Sequence, residues 1–87
     1  MQFGLLYECQ RPFQGTTLDW NALYKETLAQ CELADQVGFN NLWFVEHHFL
    51  TGFSGSPSQD ALFGALSRIT KQIRIGYGVC ILPYHHP

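Results

Sequence analysis

Charge is scarce in this 87-residue chain. Asp, Glu, Lys and Arg make up 14% of it, against roughly 25% in an average soluble domain. The five basic residues are scattered between Arg11 and Arg74 and the formal net charge is −2, so no basic stripe exists to track phosphates and a nucleic-acid partner is excluded. Long apolar runs are also missing: none approaches the ~20 residues of a membrane span. Met1-Gln2-Phe3-Gly4 lacks the basic region and apolar core of a secretory signal. Cysteine is sparse and unpaired in pattern. Cys9, Cys31 and Cys80 are odd in number and form no CxxC, which argues against a disulfide framework or a structural zinc site and fits a reducing cytoplasm.

Apolar and aromatic residues are plentiful instead, at 46% and 15%. Little charge on so small a body predicts a surface that another protein surface covers, and the length allows one folding unit at most. Phe3 to Tyr7 reads as a short apolar strand and 11–17, with Pro12 and Gly15, as a loop. From Asp19 onward, Trp20, Leu23, Tyr24, Thr27, Leu28, Cys31, Ala34 and Val37 share one side of a 3.6-residue period. Gly38 is placed to end that helix in a left-handed conformation, with Phe39 packing back on it. Asn41 to Val45 is the second strand, and 50–55 a Gly- and Ser-rich surface loop.

A second helix is predicted with Ser56 as N-cap, Pro57 as first helical residue and Gln59 completing a capping box. Leu62, Phe63, Leu66 and Ile69 form its apolar face, Ala61, Gly64 and Ala65 leave room for another helix, and Lys71 suits the dipole of the last turn. Ile73 to Leu82 reads as a third strand stopped by Pro83. Near-continuous apolar strands separated by helices make this an α/β chain of parallel βαβαβ units. The strands recur about every 35 residues, close to the unit of a (β/α)8 barrel. Flavodoxin-like sheets begin the same way, so topology alone does not choose between them. Three strands alone leave both sheet edges unpaired, which predicts a piece of a longer chain or an assembly.

Sites in parallel α/β folds are built at the carboxyl ends of the strands, and the unusual polar groups collect there. Tyr7, Glu8, Cys9 and Gln10 end the first strand, Glu46-His47-His48 the second, and Tyr84-His85-His86 follow the third. Glu46 either holds a neighbouring histidine or backbone amide, or touches a ligand directly. Two imidazoles beside an acid on this rim point to function. A metal site is not expected at His47 and His48, because adjacent strand residues point to opposite faces and no His-x-His spacing occurs. Gly76-Tyr77-Gly78-Val79 leaves backbone bare in a strand, for close packing or for a flat ligand. No GxGxxG follows, so this is not a dinucleotide fingerprint.

"GFNNLWFVEHHF", a downstream "GSP" opening a helix, and "IRIGYGVCILPYHHP" together resemble the N-terminal third of a bacterial luciferase-like flavin monooxygenase, over essentially all of 1–87. The resemblance implies a βαβαβ segment of a luciferase-like (β/α)8 TIM barrel, incomplete as given. It further implies reduced FMN lying across the strand-end rim and reacting with O2 to oxidise a small organic substrate such as an aldehyde. By that similarity His47 is the candidate acid-base group and His48 and Glu46 support it. Gly78-Val79, preceded by Tyr77, match a site often holding a non-proline cis peptide beneath the flavin ring, and His86 matches a histidine near the pocket. The resemblance also implies a homo- or heterodimer through the first helices and a separate flavin reductase as electron source. A deazaflavin-dependent oxidoreductase of the same superfamily and a non-catalytic assembly module are the alternatives. The residues that bind the flavin phosphate are not among these 87, so the short chain alone is expected to be inactive.

Overall fold

The computed structural model describes residues 1–11, 19–50 and 52–87; from Pro12 onward the predicted loop at 11–17 lies outside them. Strand β1 (Gly4–Tyr7), helix α1 (Trp20–Val37), strand β2 (Asn41–Phe44), helix α2 (Gln59–Ile69) and strand β3 (Arg74–Tyr77) follow in order, then a 3₁₀ turn at Leu82–Tyr84. The strands form one parallel sheet in the order β1-β2-β3, with Leu5 beside Leu42 beside Ile75, and Leu6 beside Trp43 beside Gly76. No described helix is long and apolar enough to cross a membrane.

Alternation along the strands divides the sheet into two unlike faces. Leu42 and Phe44 are fully buried against Cys31, Ala34, Leu62, Leu66 and Ile73, with Leu5, Tyr7 and Ile75 packed on the same cluster. Phe44 stacks on Tyr7 at 5.2 Å between ring centroids and meets Phe63 edge-on at 5.5 Å. The other face carries Leu6, 61% exposed, and Trp43, 43% exposed. Gly76 belongs to that face because a Cβ there would approach the Trp43 indole to 3.1 Å. Close packing of Trp43 is therefore one sufficient reason for a bare backbone at this point of β3.

The C-terminal end of α1 follows the sequence prediction, and the N-cap is a finding of the structure. Asp19 is the N-cap and accepts the Ala22 amide on its carboxylate at 3.2 Å. Gly38 turns left-handed, with φ 95°, and the Phe39 amide reaches back to the Ala34 carbonyl at 3.0 Å. Thr27, Cys31 and Ala34 form the buried stripe, while Val37 in the last turn is exposed.

Helix α2 departs from prediction. It starts at Gln59 with Ser58 as N-cap, and no side chain caps it. The Ser56 hydroxyl instead donates to the Val45 carbonyl at 2.5 Å, and Gln59 Nε2 donates to that hydroxyl at 2.6 Å. Both side chains are buried, so the Ser and Gln of the apparent capping box fasten the loop to β2 rather than closing a helix end. The loop itself is stitched inward, with Ser54 bridging Gln10 and the Gly55 amide on the Cys9 carbonyl. Lys71 lies beyond the helix; Arg68 is the basic residue of its last turn.

Strand β3 is shorter than predicted. Past Tyr77 the Gly78 and Val79 amides both turn to the Phe44 carbonyl, at 2.7 and 3.3 Å. A strand cannot continue once two successive amides share one acceptor. No described peptide bond is cis, which corrects the expectation at Gly78-Val79: the trans backbone is what lets both amides reach that carbonyl.

One tie was not visible in the sequence. The Asp35 carboxylate in α1 accepts the amides of Lys71, Gln72 and Ile73 at 2.7, 3.0 and 2.8 Å, fixing the turn that leads into β3. These amides, that of Gln72 most, hold Asp35 below the usual carboxylate range. The sign follows: the tie stabilises fully above the unfolded-chain pKa and is lost as pH falls through the lowered folded value. Asp35→Ala is expected to lower the thermal unfolding midpoint at pH 7 and to converge with wild type in strong acid. Equal midpoints at pH 7 would refute the tie.

Candidate active site at the strand ends

Glu46 is the second residue past β2, and its side chain is a buried carboxylate with only 1% of the residue exposed. A carboxylate so covered must be hydrogen-bonded on both oxygens. His48 Nε2 donates to Oε1 at 2.6 Å, the Ile81 amide donates to Oε2 at 2.8 Å, and His85 Nε2 lies 3.1 and 2.9 Å from the two oxygens. The cover is thin, because both imidazoles are partly exposed. These partners hold Glu46 ionised down to about 2, the His48 hydrogen bond contributing most, then His85 and the Ile81 amide. Facing a carboxylate, each Nε2 carries a proton, which leaves Nδ1 as the free ring nitrogen. The His48 ring is fixed in plane as well, stacked on Tyr84 at 4.2 Å and 27°.

His47 goes elsewhere. Its amide bonds the Ser56 carbonyl at 2.9 Å and its ring meets Phe53 edge-on at 5.9 Å. It lines a separate cavity of about 300 Å³ with Trp20, Tyr24, Phe49, Leu50 and Pro57. Phe49 adopts a left-handed backbone, φ 59°, a conformation that bulky residues rarely hold and that ends the extended run just after the two histidines. The acid and the two adjacent histidines therefore do not converge: Glu46 and His48 share one network and His47 faces an aromatic pocket.

The remaining candidates divide in the same way. Tyr77 turns toward α2, where its hydroxyl donates to Asp60 and its ring packs on Phe63 at 4.9 Å; the Asp60 hydrogen bond raises the phenol to about 12. Gly78 is exposed beside Leu6 and Trp43, and Val79 is exposed. His86 is exposed and bonds the Pro87 carbonyl through Nδ1 at 2.8 Å, apart from the Glu46 network. Sequence reasoning placed His85 and Tyr84 on the rim without assigning them a part. The signal available was four histidines at one end of three strands; which of them meets Glu46 depends on the 3₁₀ turn, and that turn is set by backbone geometry rather than composition.

The family model for luciferase-like monooxygenases matches residues 1–87. The chain belongs to that family. It is 31% identical over 87 residues to the oxygenase component of a flavin-dependent trigonelline monooxygenase from Acinetobacter baylyi, covering all of this chain and 23% of that protein. It is 34% identical over 76 residues to limonene 1,2-monooxygenase of Rhodococcus erythropolis, covering 87% and 19% respectively. The chain thus spans about a fifth of the length of the curated relatives it matches.

Among solved structures it superposes on the oxygenating constituent of 3,6-diketocamphane monooxygenase from a Pseudomonas putida plasmid, a type II Baeyer-Villiger monooxygenase solved with FMN. The TM-score is 0.84 at 23% identity, over all of this chain and 23% of that one. That likeness establishes the fold: a βαβαβ piece of a luciferase-like barrel with its sheet unclosed.

The Glu46 network makes a direct prediction. A carboxylate depressed from 4.5 to about 2 stabilises the fold above its unfolded pKa, and that contribution is lost as pH falls through the folded value. With ¹³C-labelled glutamate, and Glu46→Gln to assign the signal, the Glu46 carboxyl resonance should titrate near pH 2. A midpoint at 4.5 or above would mean that the imidazoles and the Ile81 amide do not hold it.

Proposed function

We propose that the protein carrying this chain is an FMN-dependent monooxygenase that uses reduced FMN and O2 to oxidise a small organic substrate such as an aldehyde, with electrons from a separate flavin reductase. The observation that carries this reading is the ionised Glu46 fixing the His48 imidazole at the carboxyl end of β2, in a chain of the luciferase-like family. The residues fit a flat ring. Leu6 and Trp43 expose an apolar surface beside the bare backbone of Gly76 and Gly78, and a glycine in or beside a strand is suited to close approach by a ligand. When bound there, reduced flavin would supply the electrons that activate oxygen.

The chain's own residues supply position, dryness and protons. Glu46 holds the His48 Nε2 proton and Tyr84 stacks the ring, which leaves Nδ1 as the ring nitrogen able to accept or give a proton. His47, the acid-base candidate by family resemblance, stands at a pocket lined by Trp20, Phe49 and Leu50, apolar groups that would keep an oxygen-handling site dry once the rest of the protein covered them. The reading extends to a cytoplasmic dimer: Ala61, Gly64 and Ala65 are exposed along one side of α2, and small residues there suit close approach by a second helix.

In the full-length protein, supplied with a flavin reductase and a panel of aldehydes and cyclic ketones, flavin oxidation should couple to substrate oxygenation. His47→Ala and His48→Ala should each lower kcat by about 10²- to 10⁴-fold, the usual contribution of a positioned acid-base group. The isolated 87-residue chain should show no micromolar affinity for reduced FMN. Unchanged kcat in both variants, or tight flavin binding by the short chain, would overturn the reading.

A further inference from the structure

Cys80 takes no part in the mechanism above, yet its thiol stands beside the most buried charge in the described structure. One ligand atom each from Cys80, Glu46 and His85 lie within 4.8 Å of one another. Cys80 and His85 are exposed, while Glu46 is buried. The thiol is pushed up by desolvation and then by the Glu46 charge facing it, as follows for a sulfur so close to a carboxylate.

We propose that Cys80, Glu46 and His85 form a three-ligand site for a divalent cation of the zinc class, open at a fourth position. Thiolate, imidazole and carboxylate together are a borderline-soft donor set; they suit zinc or cobalt and disfavour magnesium and calcium, which take oxygen ligands. Bonds of about 2.0–2.3 Å in tetrahedral geometry put neighbouring donor atoms about 3.3–3.8 Å apart. Side-chain rotation of an ångström or so therefore closes the trio around an ion. Two partners of Glu46 already stand where a metal-binding carboxylate needs support: His48 Nε2 on Oε1 and the Ile81 amide on Oε2. Such outer hydrogen bonds orient a ligand and tune its basicity.

Binding requires two proton movements. The Cys80 thiol releases its proton to solvent as the sulfur–metal bond forms. His85, which places Nε2 on Glu46, shifts its proton to Nδ1 so that the Nε2 lone pair can face the ion. If Glu46 positions His48 as proposed above, an inference that rests on that reading, occupancy draws the carboxylate toward the ion and inhibits turnover.

The test is cobalt titration of chelator-treated full-length protein, followed by absorption. One Co²⁺ per chain should bind with a thiolate-to-cobalt band in the near ultraviolet, and Zn²⁺ should displace it. Cys80→Ser should abolish the band and, with His85→Ala, weaken binding at least tenfold, circular dichroism verifying that both variants fold. Absence of the band, its persistence in Cys80→Ser, or wild-type affinity in both variants overturns the site. The cobalt spectrum does not depend on turnover, so a failed monooxygenase assay leaves this result readable on its own. Zinc inhibition of wild type but not of Cys80→Ser would tie the site to the proposed function, and equal inhibition of both would sever that tie.

Discussion

A carboxylate cannot stay ionised under cover of protein without full hydrogen bonding, and much of the rim follows from satisfying Glu46. Its Oε2 takes the Ile81 amide, which secures the chain after β3 where it has left the sheet and curls over the end of β2. The 3₁₀ turn at Leu82–Tyr84 follows at once and delivers Tyr84 onto the His48 ring and His85 onto the carboxylate. One buried charge thus couples strand ends 35 residues apart. The coupling is reciprocal: without the turn Glu46 would lose an amide and an imidazole, and without Glu46 the turn would keep its own Tyr84-to-Ile81 hydrogen bond but lose its tie to the end of β2.

Beneath the rim the sheet is fixed by simpler forces. Leu42 and Phe44 enter the helix side and Trp43 the other, so the register cannot slip by one residue without placing an indole in the core and two core side chains outside. Asp35 and Ser56 extend the same precision to the connections, each using one short polar side chain to satisfy backbone groups that a turn would otherwise leave bare. These ties lie on opposite ends of the sheet, one leading into β3 and one beneath β2. The strand ends that carry the histidines are therefore set by packing below and by hydrogen bonds above.

Element order, the left-handed end of α1 and the buried faces of both helices were legible in the sequence, because each rests on local periodicity or on one residue's conformational preference. Gly38 is of this kind. What could not be read depends on partners far along the chain. Val79, Cys80 and Ile81 look like strand by composition, yet strand requires a neighbour's carbonyls in register, and Phe44 offers a single carbonyl to two amides. Ser56 and Gln59 satisfy the capping-box spacing but find a stronger use, a buried tie to the Val45 carbonyl. His47 and His48 were read as a pair from adjacency; the backbone gives them different surroundings, and the imidazole that joins His48 on Glu46 comes from 37 residues further along, at His85.

The open face of the sheet explains why the site takes the form it does. Leu6, Trp43 and Val79 are apolar and exposed in these 87 residues, while the helices cover only the other side. In a parallel sheet both faces are ordinarily covered, and closure of a luciferase-like barrel would turn this face inward, beneath the rim that Glu46 organises. An apolar floor, bare glycine backbone and an imidazole locked by a buried charge would then share one dry cavity, where electrostatic interactions strengthen as water is removed. The features that leave the short chain incompletely buried are thus the ones a closed barrel would use. Hydrophobic surface that is a liability on an isolated sheet becomes the wall of a pocket when the remaining strands enclose it.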